Sequence, residues 1–329
     1  MKKWEIDVPV LCIFFARPIQ FAKSFEQVRK ARPKVLLLWQ DGPRDGREDD
    51  WENIKKCRDI AANIDWECEV HKNYHDKNMG CDPSTFYSHK WAFSLVDKCI
   101  ILEDDLIASQ SFFSFCKVLL DKYENDYRVD RICGTNPLGV YEDVTSDYFF
   151  TKRGHSWGWA TWKRVADSWD SNYEFLNHEY YLKQLIEHGI EKKQQTSWLD
   201  KCKIHQQEKV PYWEFIVGAR TLLHSGLVIF PKKNLITNIG IGENSAHTNS
   251  DLKDLPLSVQ RKFNTKAYEI DFPLKSPLYF IDDIKFQNKC NEIAHQKGFV
   301  EKNKRLFKRI ITKLKNGTLV KTLYKKLKH

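Results

Sequence analysis

No stretch of this 329-residue chain approaches the roughly 20 consecutive apolar residues of a membrane-spanning helix. The common nucleotide fingerprints are missing too. There is neither a Walker A phosphate loop nor a Gly-x-Gly-x-x-Gly turn, which sets aside kinases and dehydrogenases of the usual kinds. A signal peptide is not evident: Met1 to Val8 is charged, and the short apolar run from Val8 to Ala16 stops at Arg17-Pro18. Nine cysteines show no CxxC pair and no Cys/His ligand spacing, so they read as scattered thiols in a reducing compartment, with no zinc site. Internal repeats and low-complexity linkers are also lacking. What remains is a globular chain, 42% hydrophobic and 13% aromatic, long enough to bury a substantial core as one large domain or two small ones.

Charge is unevenly spread. The net charge of +9 resides in the last 29 residues, which carry +10, while residues 1–300 carry −1. Between the lysines of that tail, Leu306, Phe307, Ile310, Ile311 and Leu314, then Leu319, Val320, Leu323, Tyr324 and Leu327, recur at helical spacing. A basic amphipathic helix of this kind suits an anionic membrane surface. The same apolar stripe also suits packing on the body, and both placements stay open. A nucleic-acid arm is the weakest reading, so no nucleic-acid partner is expected. With the scattered thiols, the membrane placement of the tail would make this a cytoplasmic protein held peripherally on the inner face of a membrane.

The most informative segment is Cys99-Ile-Ile-Leu-Glu-Asp-Asp-Leu106, where a short apolar run opens onto Glu103, Asp104 and Asp105. The run reads as a buried parallel strand, whose carboxyl end is where an open α/β sheet places its ligand crevice. Three adjacent acids there repel one another unless a cation or sugar hydroxyls meet them. A hard divalent ion holding a diphosphate resolves the conflict. The plainer alternative is that the acids merely begin the following helix.

Strand and helix alternate through the first half. Strands are expected at Val8 to Phe15, Val35 to Trp39, Trp66 to His71, Cys99 to Leu102 and Arg131 to Gly134. Helices are expected at Phe21 to Arg32, Trp51 to Asn63, Pro83 to Val96, Phe112 to Tyr123 and Glu174 to Gly189. That order implies an α/β fold with a doubly wound, Rossmann-like, mostly parallel sheet flanked by helices. The expected division is a catalytic domain at 1–250, a C-terminal helical extension packing on the body at 251–300, and the basic tail at 301–329. The stretch Gly154-His-Ser-Trp-Gly-Trp-Ala-Thr-Trp162 suits either flat rings lining a sugar pocket or a buried aromatic turn.

Five motifs in order, Phe14-Phe-Ala-Arg-Pro18, Trp39-Gln-Asp-Gly42, Tyr87-Ser-His-Lys-Trp-Ala-Phe93, Ile101-Leu-Glu-Asp-Asp-Leu106 and Trp157-Gly-Trp159, resemble the N-acetylglucosaminyltransferase I family and the wider GT-A glycosyltransferases. The resemblance spans about residues 8–135 and is patchy to 250. It implies a GT-A fold and a metal-dependent inverting glycosyltransferase, which takes a sugar from a nucleotide-diphosphate sugar, UDP favoured, to a glycan or lipid-linked acceptor. It further implies that Arg17 and Asp41 contact the base and ribose, that Glu103 and Asp104 hold ribose or donor-sugar hydroxyls, and that Asp105 ligates Mn2+ or Mg2+. Trp157 falls on the donor side. The family carries a His three residues before the Trp of its Trp-Ala motif; Ser88 stands there, and His89 follows one place later, turned by about 100° on a helix. Tyr212-Trp-Glu-Phe215 resembles the segment that supplies the general base, which makes Glu214 the candidate. In the loop Asn238 to Thr248, Gly240 and Gly242 would expose backbone N–H groups and His247 would offer a phosphate or metal contact. Two alternatives remain: a sugar-1-phosphate nucleotidyltransferase, and a non-catalytic glycan-binding or membrane-tethering module.

Overall fold

The computed structural model describes residues 1–189, 192–241, 260, 263 and 265–295. The apolar runs become the inner strands: β1 (Val10–Phe14), β2 (Val35–Gln40), β3 (Glu69–Tyr74) and β4 (Lys98–Glu103). They pair in parallel in the order β3-β2-β1-β4, with Leu11 opposite both Leu37 and Ile101. The intervening α1 (Pro18–Ala31), α2 (Glu48–Ala61) and α3 (Cys81–Leu95) make the crossovers. Proline opens α1 at the position where its missing N–H costs nothing.

Beyond β4 the chain makes the short β5 (Leu106–Ala108), then α4 (Gln110–Lys122), β6 (Val129–Cys133), β7 (Tyr148–Thr151), β8 (Trp159–Trp162) and α5 (Lys163–Ala166). After α6 (Glu179–Gln184) and α7 (Lys192–Glu208) come α8 (Trp213–Leu223), β9 (Leu227–Pro231), β10 (Ile236–Asn238) and α9 (Ile284–His295). The eight-stranded sheet has the order β3-β2-β1-β4-β8-β6-β9-β7, in which only β8 and β7 run against the rest. The mostly parallel α/β sheet read from the sequence is therefore present.

Side chains alternate across the sheet as its pleat requires. Val10, Cys12, Phe14, Leu36, Leu38, Ile100 and Leu102 join one core with Phe21, Phe25 and the phenylalanines of α4. Leu11, Ile13, Leu37, Trp39, Cys99 and Ile101 join the other, with α3, α7 and α8. Residues 265–295 lie against the first face and the far edge: Glu269 accepts hydrogen bonds from the N–H groups of Gln110 and Ser111 (3.0 and 2.7 Å), and Phe286 is buried beside Tyr141, Phe149 and Phe230.

Three local expectations change. The third strand begins at Glu69, because Trp66 turns inward and donates its indole N–H to Pro33 O (2.8 Å). The helix expected over Glu174 to Gly189 is three pieces, a 3-10 turn (Glu174–Asn177), α6 and a π turn (Leu185–Gly189), since Tyr173 is left-handed and His178 extended. The last four residues of the Trp-rich stretch form a central strand, β8, with Trp159 in one core and Trp162 in the other. Among the described residues no helix is long and apolar enough to cross a membrane. The tail at 301–329 lies outside the described residues.

Candidate functional site

The chain leaves β1 toward β2 and β3 on one side and returns to β4 on the other, so β1 and β4 form the switch point at which a crevice opens over the strands' carboxyl ends. The segments leaving β1, β2 and β4 there carry Arg17, Asp41 and the acidic triplet. Four of the expected donor residues, Arg17, Asp41, Glu103 and Asp104, line one cavity of about 310 Å3. Its remaining walls include Arg44, Asn53, Asn78 and Ser84.

Arg17, at the mouth of α1, spans two of the three acids. Its guanidinium binds both Asp104 oxygens and donates from Nη1 to Asp105 Oδ2 (3.1 Å), while Asp104 also accepts the Phe15 N–H (3.2 Å). Glu103 is half-buried, and its carboxylate accepts no hydrogen bond from a described residue. Burial first, then the charges of Asp105 and Asp104, outweigh Arg17 and raise Glu103 to about 8; Glu214 adds to the rise. Asp105 is raised as well, by burial and Asp104 against Arg17. Asp105 sits beneath the chain that leaves β10, which pairs with β5: Ile239 N–H donates to its carbonyl (2.9 Å), and a Cβ at Gly240 would run into its carboxylate. Glycine at that position leaves room for the carboxylate. That loop is described to Ile241, and His247 lies outside the described residues.

Asp41 is fixed by its surroundings. It accepts the N–H groups of Gly42 and Met79 (both 2.9 Å) and Asn78 Nδ2 (3.1 Å), and burial raises its pKa against those bonds. Two loops are thus clamped at the crevice rim. Nothing in the local sequence marks Asn78 or Arg44 as site residues. Their position after β3 and β2, both of which end at the crevice, is what could have found them.

Across β4 lies a second cavity of about 500 Å3, walled by Trp157, Trp198 and Trp213 and holding Glu214. It belongs to the same edge. β8 is antiparallel to β4 with Trp159 opposite Ile101, so residues 152–158 emerge beside the acids. Gly158, at φ +62°, makes the turn, with Ile236 2.5 Å from where a Cβ would stand. Glu214 is exposed in the first turn of α8 and accepts the Ser156 hydroxyl (2.5 Å). Trp157 therefore lies with Glu214 and lines no part of the cavity around Arg17. His89 is in neither: it is wholly buried, edge-on to Trp159, Trp169 and Trp213, both ring nitrogens without a partner, and burial lowers its pKa to about 3. It is a neutral core residue.

Among the described residues no group of three or more His, Cys, Asp or Glu is placed to hold a metal by itself. Three acids facing one guanidinium, one of them without a hydrogen bond, nevertheless fit a hard cation whose other ligands come from phosphate and water.

No family model matches the chain, and no curated protein does. Solved structures are similar at low identity. A 4-diphosphocytidyl-2C-methyl-D-erythritol synthase from Anaerococcus prevotii is 13% identical, with 59% of this chain and 84% of that one covered and a TM-score of 0.30. A UDP-glucose pyrophosphorylase solved with UDP-glucose is 10% identical, with 70% and 92% covered and a TM-score of 0.35. The chain's own architecture is a helix-flanked, mostly parallel α/β sheet with its crevice at the β1/β4 switch point.

Proposed function

We propose that the protein is a transferase acting on a nucleotide-diphosphate sugar, and that it moves the sugar to an acceptor hydroxyl with inversion. The observation that carries this reading is the pair of cavities on one sheet edge, either side of β4: one ringed by Arg17, Asp41, Glu103 and Asp104, the other aromatic and holding Glu214. Asp41 and Asn78 suit the ribose and base of the donor, and Glu103 and Asp104 its sugar hydroxyls. Asp105 would hold Mn2+ or Mg2+, which when bound neutralises charge on the departing diphosphate. Glu214, oriented by Ser156, takes the proton of the acceptor hydroxyl as its oxygen bonds to the anomeric carbon and the nucleoside diphosphate leaves with the old bond's electrons. The tryptophans exclude water and offer flat faces to the acceptor.

Sugar-1-phosphate nucleotidyl transfer is the second reading, and the name of the pyrophosphorylase falls on its side. That chemistry admits a triphosphate and calls for uncommitted cations beside the first strand. The segment after β1 offers Arg17, already engaged by Asp104 and Asp105. Incubation with UDP-sugars and Mn2+, with and without pyrophosphate, separates the readings by chromatography. UDP released without pyrophosphate supports glycosyl transfer, UTP formed only with pyrophosphate refutes it, and silence with every donor favours a non-catalytic binding module.

A further inference from the structure

We propose that the cavity holding Glu214 recognises an acceptor carrying an anionic group, a carboxylate or phosphate on a sugar, and that Arg131 is the residue that reads it. The word acceptor rests on the glycosyl-transfer reading; the anion site itself rests on Arg131. This residue stands in β6, in the interior of the sheet, and is 7% exposed. Its side chain makes no hydrogen bond or ion pair with any described residue, and its Nε is buried without a partner. Two other arginines set into the fold, buried Arg220 and half-buried Arg17, differ. Arg220 is held by Asp130 and Ser168, and Arg17 by Asp104 and Asp105. A guanidinium cannot shed its proton, so a buried one lacking a carboxylate keeps an uncompensated charge, a costly arrangement that an incoming anion relieves.

The surroundings suit that anion. Arg131 lines the cavity together with Lys152, and Glu214, engaged by Ser156, is the one acid among the described residues that line it. Lys152 is exposed, and its ammonium has no ion-pair partner among the described residues. The backbone at Gly154 runs directly against the Arg131 guanidinium, so that any side chain there would collide with it. Glycine keeps the fork accessible from the cavity. A planar fork matches carboxylate and phosphate oxygens two at a time, and rings of Trp157, Trp198 and Trp213 supply the faces against which a pyranose packs. A space of about 500 Å3 admits one or two sugar rings.

The test is calorimetry on the full chain with glucose, glucuronic acid and glucose 6-phosphate, in wild type, Arg131→Met and Lys152→Gln, with UDP plus Mn2+ titrated into each as the donor control. Wild type is expected to bind at least one of the two acids about tenfold or more tighter than glucose, the worth of a charge-assisted bidentate contact. The tighter of the two names the anion. Arg131→Met should erase that preference, and Lys152→Gln, at an exposed position that leaves folding intact, should reduce it. Equal binding of all three sugars, no binding of either acid, or a preference that survives Arg131→Met overturns the proposal. If UDP still binds in that case, the anion site fails and the proposed function stands; if UDP fails to bind wild type, the proposed function fails whatever the sugars do.

Discussion

Glu103→Gln should make the ligand-free protein more stable at pH 8, and by more than at pH 5. The reason is the cost of ionising a half-buried acid flanked by two others, which raises Glu103 from 4.5 to about 8. A raised folded-state pKa means that the folded state holds its proton longer than the unfolded one. Stability is therefore complete below about pH 4.5, falls as pH rises toward 8, and levels off above it. The gap of about 3.5 units between those two values, at about 1.4 kcal/mol each, sets an upper limit of about 5 kcal/mol. Solvent at a half-buried carboxyl and relaxation around it reduce the expected difference to about 1–3 kcal/mol. Glutamine keeps the shape and never ionises. Urea denaturation of wild type and variant from pH 5 to 8.5 reads the effect as a stability difference that widens with pH. A difference flat across that range would show that Glu103 titrates as an ordinary glutamate, and the electrostatic picture of the crevice would fall. Adding Mn2+ and UDP should narrow the gap at pH 8, since the cation then meets the ionised acid.

Arg17→Met should destabilise the fold by about 3–5 kcal/mol at neutral pH, because Asp104 and Asp105 lose the one guanidinium that pairs with them among the described residues; the loss should shrink at lower pH as Asp105, its pKa raised by burial, takes up a proton, and denaturation at two pH values checks it. Glu214→Gln should lower kcat about a hundredfold or more while the Kd of the donor stays within a factor of about two, because a positioned base contributes to the transition state and Glu214 lies outside the cavity around Arg17. Steady-state kinetics with donor calorimetry separate the two, and near-wild-type turnover would remove Glu214 from the mechanism.

The part of the fold that was legible in the sequence is the part governed by local pattern. Apolar runs such as Val10–Phe14 and Val35–Gln40 read as inner parallel strands, and the helices between them follow from periodicity, with ends displaced by a few residues where Pro18 opens α1 and Trp66 turns inward. The acidic triplet declared the crevice for the same reason: its position at a strand end is readable one residue at a time. What escaped is long-range. That Arg17 spans Asp104 and Asp105 across 87 and 88 residues of sequence follows from β1 lying beside β4. Arg131 read as one residue of a short strand, because nothing local says that its neighbours across the sheet supply no carboxylate. The Trp-rich stretch was ambiguous for a similar reason: Trp157 meets a cavity and Trp159 the core, two residues apart, and only the placement of β8 between β4 and β6 separates them.

In the proposed function the acids at the end of β4 form, with a divalent ion, a site for a nucleoside diphosphate. Calorimetric titration of UDP with and without Mn2+, into wild type and Asp105→Ala, addresses it most directly. Mn2+ should tighten UDP binding about tenfold or more in wild type and do nothing for Asp105→Ala, which remains folded because one of three mutually repelling acids has gone. Equal UDP affinity with and without Mn2+ in wild type, or the same gain in the variant, would contradict it.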